Sequence, residues 1–263
     1  MVRSRIYATL LCLISFWSSS QSDFRFRNYS INDGLSQSSV TCIVQDELNS
    51  LWIGTQDGLN RYDGSSFEIF VADNTKGLQS SYIRCSEKDD HTIWFGTNNG
   101  LTKFDLTNES FETYSPKKTA ALRIKDIAVV DNNLIWIASE ESGLYSFNNK
   151  TKQFKSYLAE VRTRKINLVH VLNNGTLLIS TDNKGLVLFD PKTDGARKLN
   201  IEESIQLLDI NNIIPKDNSH VIIATNSGAY TLNVESGKTE RLFKEVYENY
   251  GNQNVSEIGR AHV

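Results

Sequence analysis

The chain is poor in the residues from which catalytic and metal sites are usually assembled. Only four histidines and three cysteines occur in 263 residues, and no G-x-S-x-G, H-E-x-x-H, P-loop or C-x-x-C pattern is present. His91 falls at a turn, His220 at the start of a strand and His262 in the last few residues, without metal-ligand spacing. Catalytic residues, metals and cofactors are therefore not expected. Charge of one sign is also scarce. The formal net charge is −3 and no basic run stands out, which argues against a nucleic-acid partner. The N-terminal apolar run, Ile6 to Trp17, holds twelve residues and is interrupted only by Thr9 and Ser15. At about 1.5 Å per residue it is too short to span a bilayer. A sustained 3.6-residue apolar period is missing as well, which counts against a helical solenoid.

That N-terminal run has another reading. Arg3 and Arg5 precede it and the small polar stretch Ser18 to Ser22 follows it. This is the layout of a secretory signal peptide cleaved after Ser20 or Ser22, so residues 1–22 are expected to lie outside the fold. Cys12 sits mid-run and not at the cleavage site, which excludes a lipid-attachment role. Cys42 and Cys85 remain. They lie 16 and 15 residues ahead of the repeat glycines described next, so they are expected to point to opposite faces of their strands. Export would permit a disulfide, but two buried thiols are the expectation.

What the chain has in abundance is repetition. LWIGTQDGLNRYD, Leu51 to Asp63, returns as IWFGTNNGLTKFD at Ile93 to Asp105. It returns again as IWIASEESGLYSFN at Ile135, LLISTDNKGLVLFD at Leu177 and VIIATNSGAYTLN at Val221. The glycines Gly58, Gly100, Gly143, Gly185 and Gly228 are spaced 42, 43, 42 and 43 residues apart, a repeat architecture. A large apolar column reads Trp52, Trp94, Trp136, Leu178 and Ile222. Two residues on stands a small column, Gly54, Gly96, Ala138, Ser180 and Ala224. Period-two geometry puts both on one strand face, where the small residue leaves room for a bulky neighbour from another layer. A hydroxyl column follows: Thr55, Thr97, Ser139, Thr181 and Thr225. The Asx column Asp63, Asp105, Asn148, Asp190 and Asn233 suits turns that begin at a strand end.

Each period holds four short strands, in the first repeat Val40–Asp46, Leu51–Thr55, Leu59–Asp63 and Phe67–Val71, joined by turns too short for helices. Segments such as LWI and LVLF are apolar without strict alternation, as in strands covered on both faces. The expected fold is all-β: a β-propeller of four-stranded antiparallel blades. Outer strands are expected near Ala196–Ile201 in repeat four and Thr239–Phe243 in repeat five. Phe24 to Tyr29 matches the Phe67…Phe70 outer strand without a blade of its own, as if completing the last blade of a ring. Val255 and Ile258 restart the pattern, so the chain is read as five blades of an incomplete seven-bladed ring over residues 23–257. Such a fragment is expected to be poorly stable alone. The last residues, IGRAHV, belong to nothing in the repeat and match one frame of a common sequencing adapter, so 258–263 read as a non-native tail.

LWIGTQDGLNRYDG, IWFGTNNGLTKFD and FRNYSINDGLSQSSV resemble the two-component regulator propeller repeats, over Phe24 to about Ile258. The resemblance implies the periplasmic sensor region of a hybrid two-component histidine kinase. In that family two seven-bladed propellers precede a β-sandwich domain, a membrane helix and the kinase. It further implies an oligosaccharide ligand released from a polysaccharide, a homodimer through the sensor region of the full-length protein, and membrane attachment only through downstream segments. Two rival functions stay open: a secreted propeller lyase or glycosidase acting on polysaccharide, and a protein-interaction scaffold. The first needs converging acid and base residues, and the repeats show no non-repeating carboxylate pair.

No individual ligand-binding residue stands out. Gln56-Asp57 and Asn98-Asn99 place polar groups at one rim, which turn chemistry alone explains, although amides and carboxylates also suit a sugar. Gln45 to Ser50 is a turn rather than a calcium loop, because the alternating oxygen ligands and central glycine are missing.

Overall fold

The computed structural model describes residues 27–117, 121–131, 133–157, 161, 163–182, 185–202, 205 and 209–242. The expected signal peptide at 1–22, the restart at Val255 and the tail at 258–263 lie outside the described residues. Blade 1 consists of β1 (Val40–Gln45), β2 (Leu51–Thr55), β3 (Gly58–Tyr62) and β4 (Phe67–Phe70). Blade 2 consists of β5 (Ile83–Asp89), β6 (Thr92–Thr97), β7 (Gly100–Asp105) and β8 (Ser110–Tyr114). Blade 3 follows as β9 (Ile124–Asp131), β10 (Leu134–Ser139), β11 (Leu144–Asn148) and β12 (Gln153–Ser156). Blade 4 is β13 (Ile166–Val171), β14 (Leu177–Thr181), β15 (Gly185–Asp190) and β16 (Gly195–Lys198). Blade 5 is β17 (Ile210–Pro215), β18 (His220–Thr225), β19 (Gly228–Asn233) and β20 (Thr239–Arg241). Each blade is one antiparallel meander of four strands in chain order. The propeller architecture read from the period is the one observed. Among the described residues no helix is long and apolar enough to cross a membrane.

The core lies between blades, not within them. Trp52 packs on Phe104 of the next blade at 4.5 Å, Trp94 on Phe147 at 6.0 Å and Trp136 on Phe189 at 6.1 Å. All three tryptophans are buried. Four apolar clusters result, one for each junction between successive blades. The small column has the expected steric cause. A Cβ on Gly54 would stand 2.8 Å from Ile83 Cγ2, and one on Gly96 2.5 Å from Ile124 Cγ2, each isoleucine coming from the following blade.

The hydroxyl and Asx columns both close hairpins. Thr55, Thr97 and Thr225 donate through Oγ1 to the carbonyls of Gly58, Gly100 and Gly228, and accept from Asp57, Asn99 and Ser227 N–H. A buried hydroxyl is thereby satisfied twice while it fixes the turn. At the other end, Asp63 Oδ1 accepts from the N–H groups of Ser65 and Ser66, Asp105 Oδ1 from Thr107 and Asn108, and Asn233 Oδ1 from Glu235 and Ser236. Asp46 plays the same part between β1 and β2. Its Oδ1 accepts from Leu48 and Ser50 N–H, and its Oδ2 from Trp52 Nε1. That accounts for Gln45–Ser50 as a turn.

These caps make a pH prediction. Ser219 N–H, the His220 ring and His220 N–H hold the Asp217 carboxyl down to about 2. With the folded pKa below the unfolded one, the unfolded chain binds the proton first. The cap's contribution is complete above the unfolded value of about 4 and disappears as the pH falls toward the folded one. Denaturant titrations of the parent and Asp217→Asn should differ near pH 5 and converge as the pH falls from there toward the folded pKa. A difference unchanged down to the folded pKa would show that the carboxylate does not cap the turn.

Two local readings need correction. Cys42 and Cys85 do not point to opposite faces: they sit opposite Gly54 and Gly96, the same position in successive blades. The one-residue difference in spacing is absorbed by the longer β1–β2 turn, because parity counts faces only within a strand. The two are not joined in a disulfide. The outer strand expected over Phe24–Tyr29 is not formed in its described part, Arg27–Tyr29. Tyr29 nevertheless takes the place of an outer-strand aromatic. Its ring lies 5.2 Å from Tyr62, matching Tyr114 on Phe147 at 4.8 Å and Tyr157 on Phe189 at 5.2 Å.

Candidate functional site

The innermost strands β1, β5, β9, β13 and β17 lie side by side, and each carries a bulge at the same place. The ladder skips Thr41, Arg84, Lys125, Asn167 and Asn211, each opposite the end of the second strand of its blade. A bulge inserts an unpaired residue and re-aims its side chain. Five polar residues are thus set around one end of the inner strands, which we call the mouth.

Backbone bonds make that end rigid. Asn98, Glu140, Asp182 and Asn226 donate their N–H to the residues leading into their own blades, Tyr82, Arg123, Lys165 and Asp209. Gly58, Gly100 and Gly143 donate to Ser81, Leu122 and Arg164, which lead into the next blade. The glycine hairpins of blades 2 and 3 are therefore tied both to their own blade and to the next. Gly100 also sits where a Cβ would strike Tyr114 O at 2.4 Å, at φ +107°, so no side chain fits there.

Charge concentrates between blades 2 and 3. Arg84 Nη1 donates to Asn98 Oδ1 at 2.8 Å and to Glu140 Oε2 at 2.9 Å, and its guanidinium lies 5.4 Å from the Tyr82 ring. Lys125 Nζ stands 3.9 Å from Glu140 Oε1, and Arg123 Nη1 3.6 Å from Glu141 Oε1. Partial burial pushes the Glu140 carboxyl up. The Arg84 hydrogen bond and the charges of Arg84, Lys125 and Arg123 outweigh it and hold the group below its ordinary value.

Of the rim residues visible in the sequence, Asn98 enters this cluster through Arg84. Asn99 closes its turn and donates to Gln79 O at 3.4 Å, while Gln56 and Asp57 are exposed. Arg84, Lys125 and Glu140 escaped the sequence reading. Their columns hold unlike residues in other repeats, and a bulge leaves no mark on a period.

The opposite end offers less. Among the described residues, Glu47, Asp90 and His91 form a group whose ligand atoms could meet at one ion. All three are exposed, His91 Nδ1 is already 2.8 Å from Glu47 Oε2, and Lys88 Nζ stands 3.4 Å from Glu47 Oε1. A cation beside that carboxylate opposes a metal. A cleft of about 390 Å³ also opens there between blades 4 and 5, lined by Leu172, Leu188, Val234, Asn174, Asn218 and Arg197 among others.

Comparison with known proteins agrees with the repeat. A family model described as "Two component regulator propeller" matches residues 34–57, and the 42- or 43-residue period of the glycines runs through all five blades. Forty-nine residues of this chain are 53 % identical to histidine kinase P4 of Formosa agariphila, covering 19 % of the chain and 4 % of the kinase. The fold matches the extracellular domain assigned to hybrid two component system BT3049 of B. thetaiotaomicron, at TM-score 0.70 and 21 % identity. That match covers 81 % of this chain but 31 % of the solved domain, so the chain spans under a third of the structure it resembles. Virginiamycin B lyase from Staphylococcus aureus shares the architecture at TM-score 0.62, with 10 % identity and 78 % and 69 % coverage.

Proposed function

We propose that these blades are the ligand-sensing region of a hybrid two-component signalling protein, exported to the periplasm. On this reading they recognise an oligosaccharide released from a polysaccharide, and the signal passes to a histidine kinase further along the full-length protein. A homodimer through the sensor region belongs to the same reading. The observation that carries it is the regulator-propeller match at residues 34–57 together with 53 % identity to a histidine kinase over 49 residues. The bulge-lined mouth supports a ligand face there, because bulges recur where a sheet re-aims side chains for function. The test is transcriptional. A host carrying the intact gene, grown on purified oligosaccharides, is expected to induce a polysaccharide-utilisation operon, and deletion of residues 27–242 is expected to abolish that response. Induction that survives the deletion would sink the reading.

The second reading, a secreted propeller lyase, draws on the virginiamycin B lyase architecture alone. Release of new reducing or unsaturated ends by the purified protein from polysaccharide would favour it.

A further inference from the structure

We propose that Arg84 and Lys125, with Asn98 and Tyr82, form a subsite for one anionic group of the ligand, a carboxylate or a sulfate, and that Glu140 fills it as an internal stand-in until ligand arrives. This rests on the mouth being the ligand face and adds the charge class of what it reads.

The argument begins with placement. Arg84 and Lys125 are bulge residues of adjacent inner strands, and Glu140 rises from the β10–β11 hairpin of blade 3. All three thus come from the part of each blade that points to the mouth. Charge is the second step. Arg84, Lys125 and Arg123 surround Glu140 and Glu141, leaving a local excess of positive charge in a chain whose net charge is −3.

Spare hydrogen-bonding capacity is the third. The Arg84 side chain is only 16 % exposed. Both of its bonds to Asn98 and Glu140 leave from Nη1, so Nε and Nη2 carry no bond to those partners. An arginine fork matches the paired oxygens of a carboxylate or sulfate, which lysine alone does not. Asn98 and the Tyr82 ring hold the guanidinium in place before ligand binds. That preorganisation reduces the ordering cost of recognition.

The stand-in follows from the same geometry. The Glu140 side chain is 31 % exposed and lies on a hairpin, and its Lys125 contact is long at 3.9 Å. A better-placed oxyanion can take over Arg84 while Glu140 turns to solvent. Exchanging one carboxylate for another keeps the buried guanidinium paired throughout, which avoids the cost of an uncompensated buried charge.

The experiment uses the purified protein carrying these blades and isothermal titration with trigalacturonate, its neutral methyl ester and inorganic sulfate. Trigalacturonate is expected to bind about tenfold tighter than the ester, as one charge-assisted fork implies. Arg84→Met should erase that preference. Glu140→Gln removes the internal competitor, so it should tighten trigalacturonate and sulfate about threefold to tenfold and leave the ester unchanged. Near-identical circular dichroism and melting of the variants would exclude misfolding as the cause. If Glu140→Gln lowers stability without altering anion affinity, Glu140 is only an inter-blade tie and the proposal is overturned. Equal binding of ester and trigalacturonate overturns it while leaving oligosaccharide sensing standing, and so does anion binding that Arg84→Met leaves unchanged. Failure of both anions to bind Glu140→Gln overturns it too. Loss of the transcriptional response to every oligosaccharide would instead be the failure of the sensing reading.

Discussion

Trp94→Ala is expected to destabilise the protein by about 3–5 kcal/mol, the range for truncating a fully buried large aromatic. Trp94 is fully buried in the cluster that joins blades 2 and 3, against Phe147. Alanine would leave a void between two sheets that backbone bonds at the mouth hold in place, so collapse cannot fill it. A loss below about 1 kcal/mol by chemical denaturation would contradict this packing. The phenylalanine variants sharpen the test. Trp52 Nε1 donates to Asp46 Oδ2 at 2.8 Å, whereas Trp94 Nε1 has no acceptor among the described residues. Trp52→Phe removes a bond to a carboxylate inside a buried cap. Trp94→Phe removes a donor that is buried and unsatisfied. Trp52→Phe should therefore cost about 1–2 kcal/mol more than Trp94→Phe, although both residues occupy one column. Equal costs would show that the indole N–H to Asp46 contributes nothing net.

Ile127→Asp is expected to unfold the chain or cost roughly 4 kcal/mol or more, and Ile43→Asp to fall within about 0.5 kcal/mol of the parent. The two isoleucines share one column: Ile43 pairs with Ile53, and Ile127 with Ile137. In blades 3, 4 and 5 this column, Ile127, Val169 and Ile213, is 1–2 % exposed and packs against the preceding blade. Ile43 is 59 % exposed. Burying an unpaired carboxylate at Ile127 adds desolvation to lost packing, while at Ile43 it stays in water. Denaturation of both variants in the 263-residue chain reads the difference directly. If Ile43→Asp is as damaging as Ile127→Asp, the first blade's outward face is covered in solution. A face of this kind is one that closure of a ring would bury.

Much of this protein is legible in its sequence. The period set five blades. Trp52, Trp94 and Trp136 marked the faces that meet, and Gly54 and Gly96 marked where a neighbour needs room. Asp63 and Asn233 marked where hairpins turn. All of these are local or repeated properties. Strand alternation, turn chemistry and one packing relation recur every 42 or 43 residues, so each copy reinforces the reading of the others. Tertiary structure decided what does not repeat. It put Cys42 and Cys85 on equivalent faces, because a turn of different length separates each from its glycine. It set bulges at Thr41, Arg84, Lys125, Asn167 and Asn211, which no column of residue types announces. Above all it brought Arg84 to Glu140, 56 residues away and one blade further on. A contact made by unlike residues from neighbouring blades depends on how the sheets stack, and a one-dimensional period carries the stacking only for residues that recur.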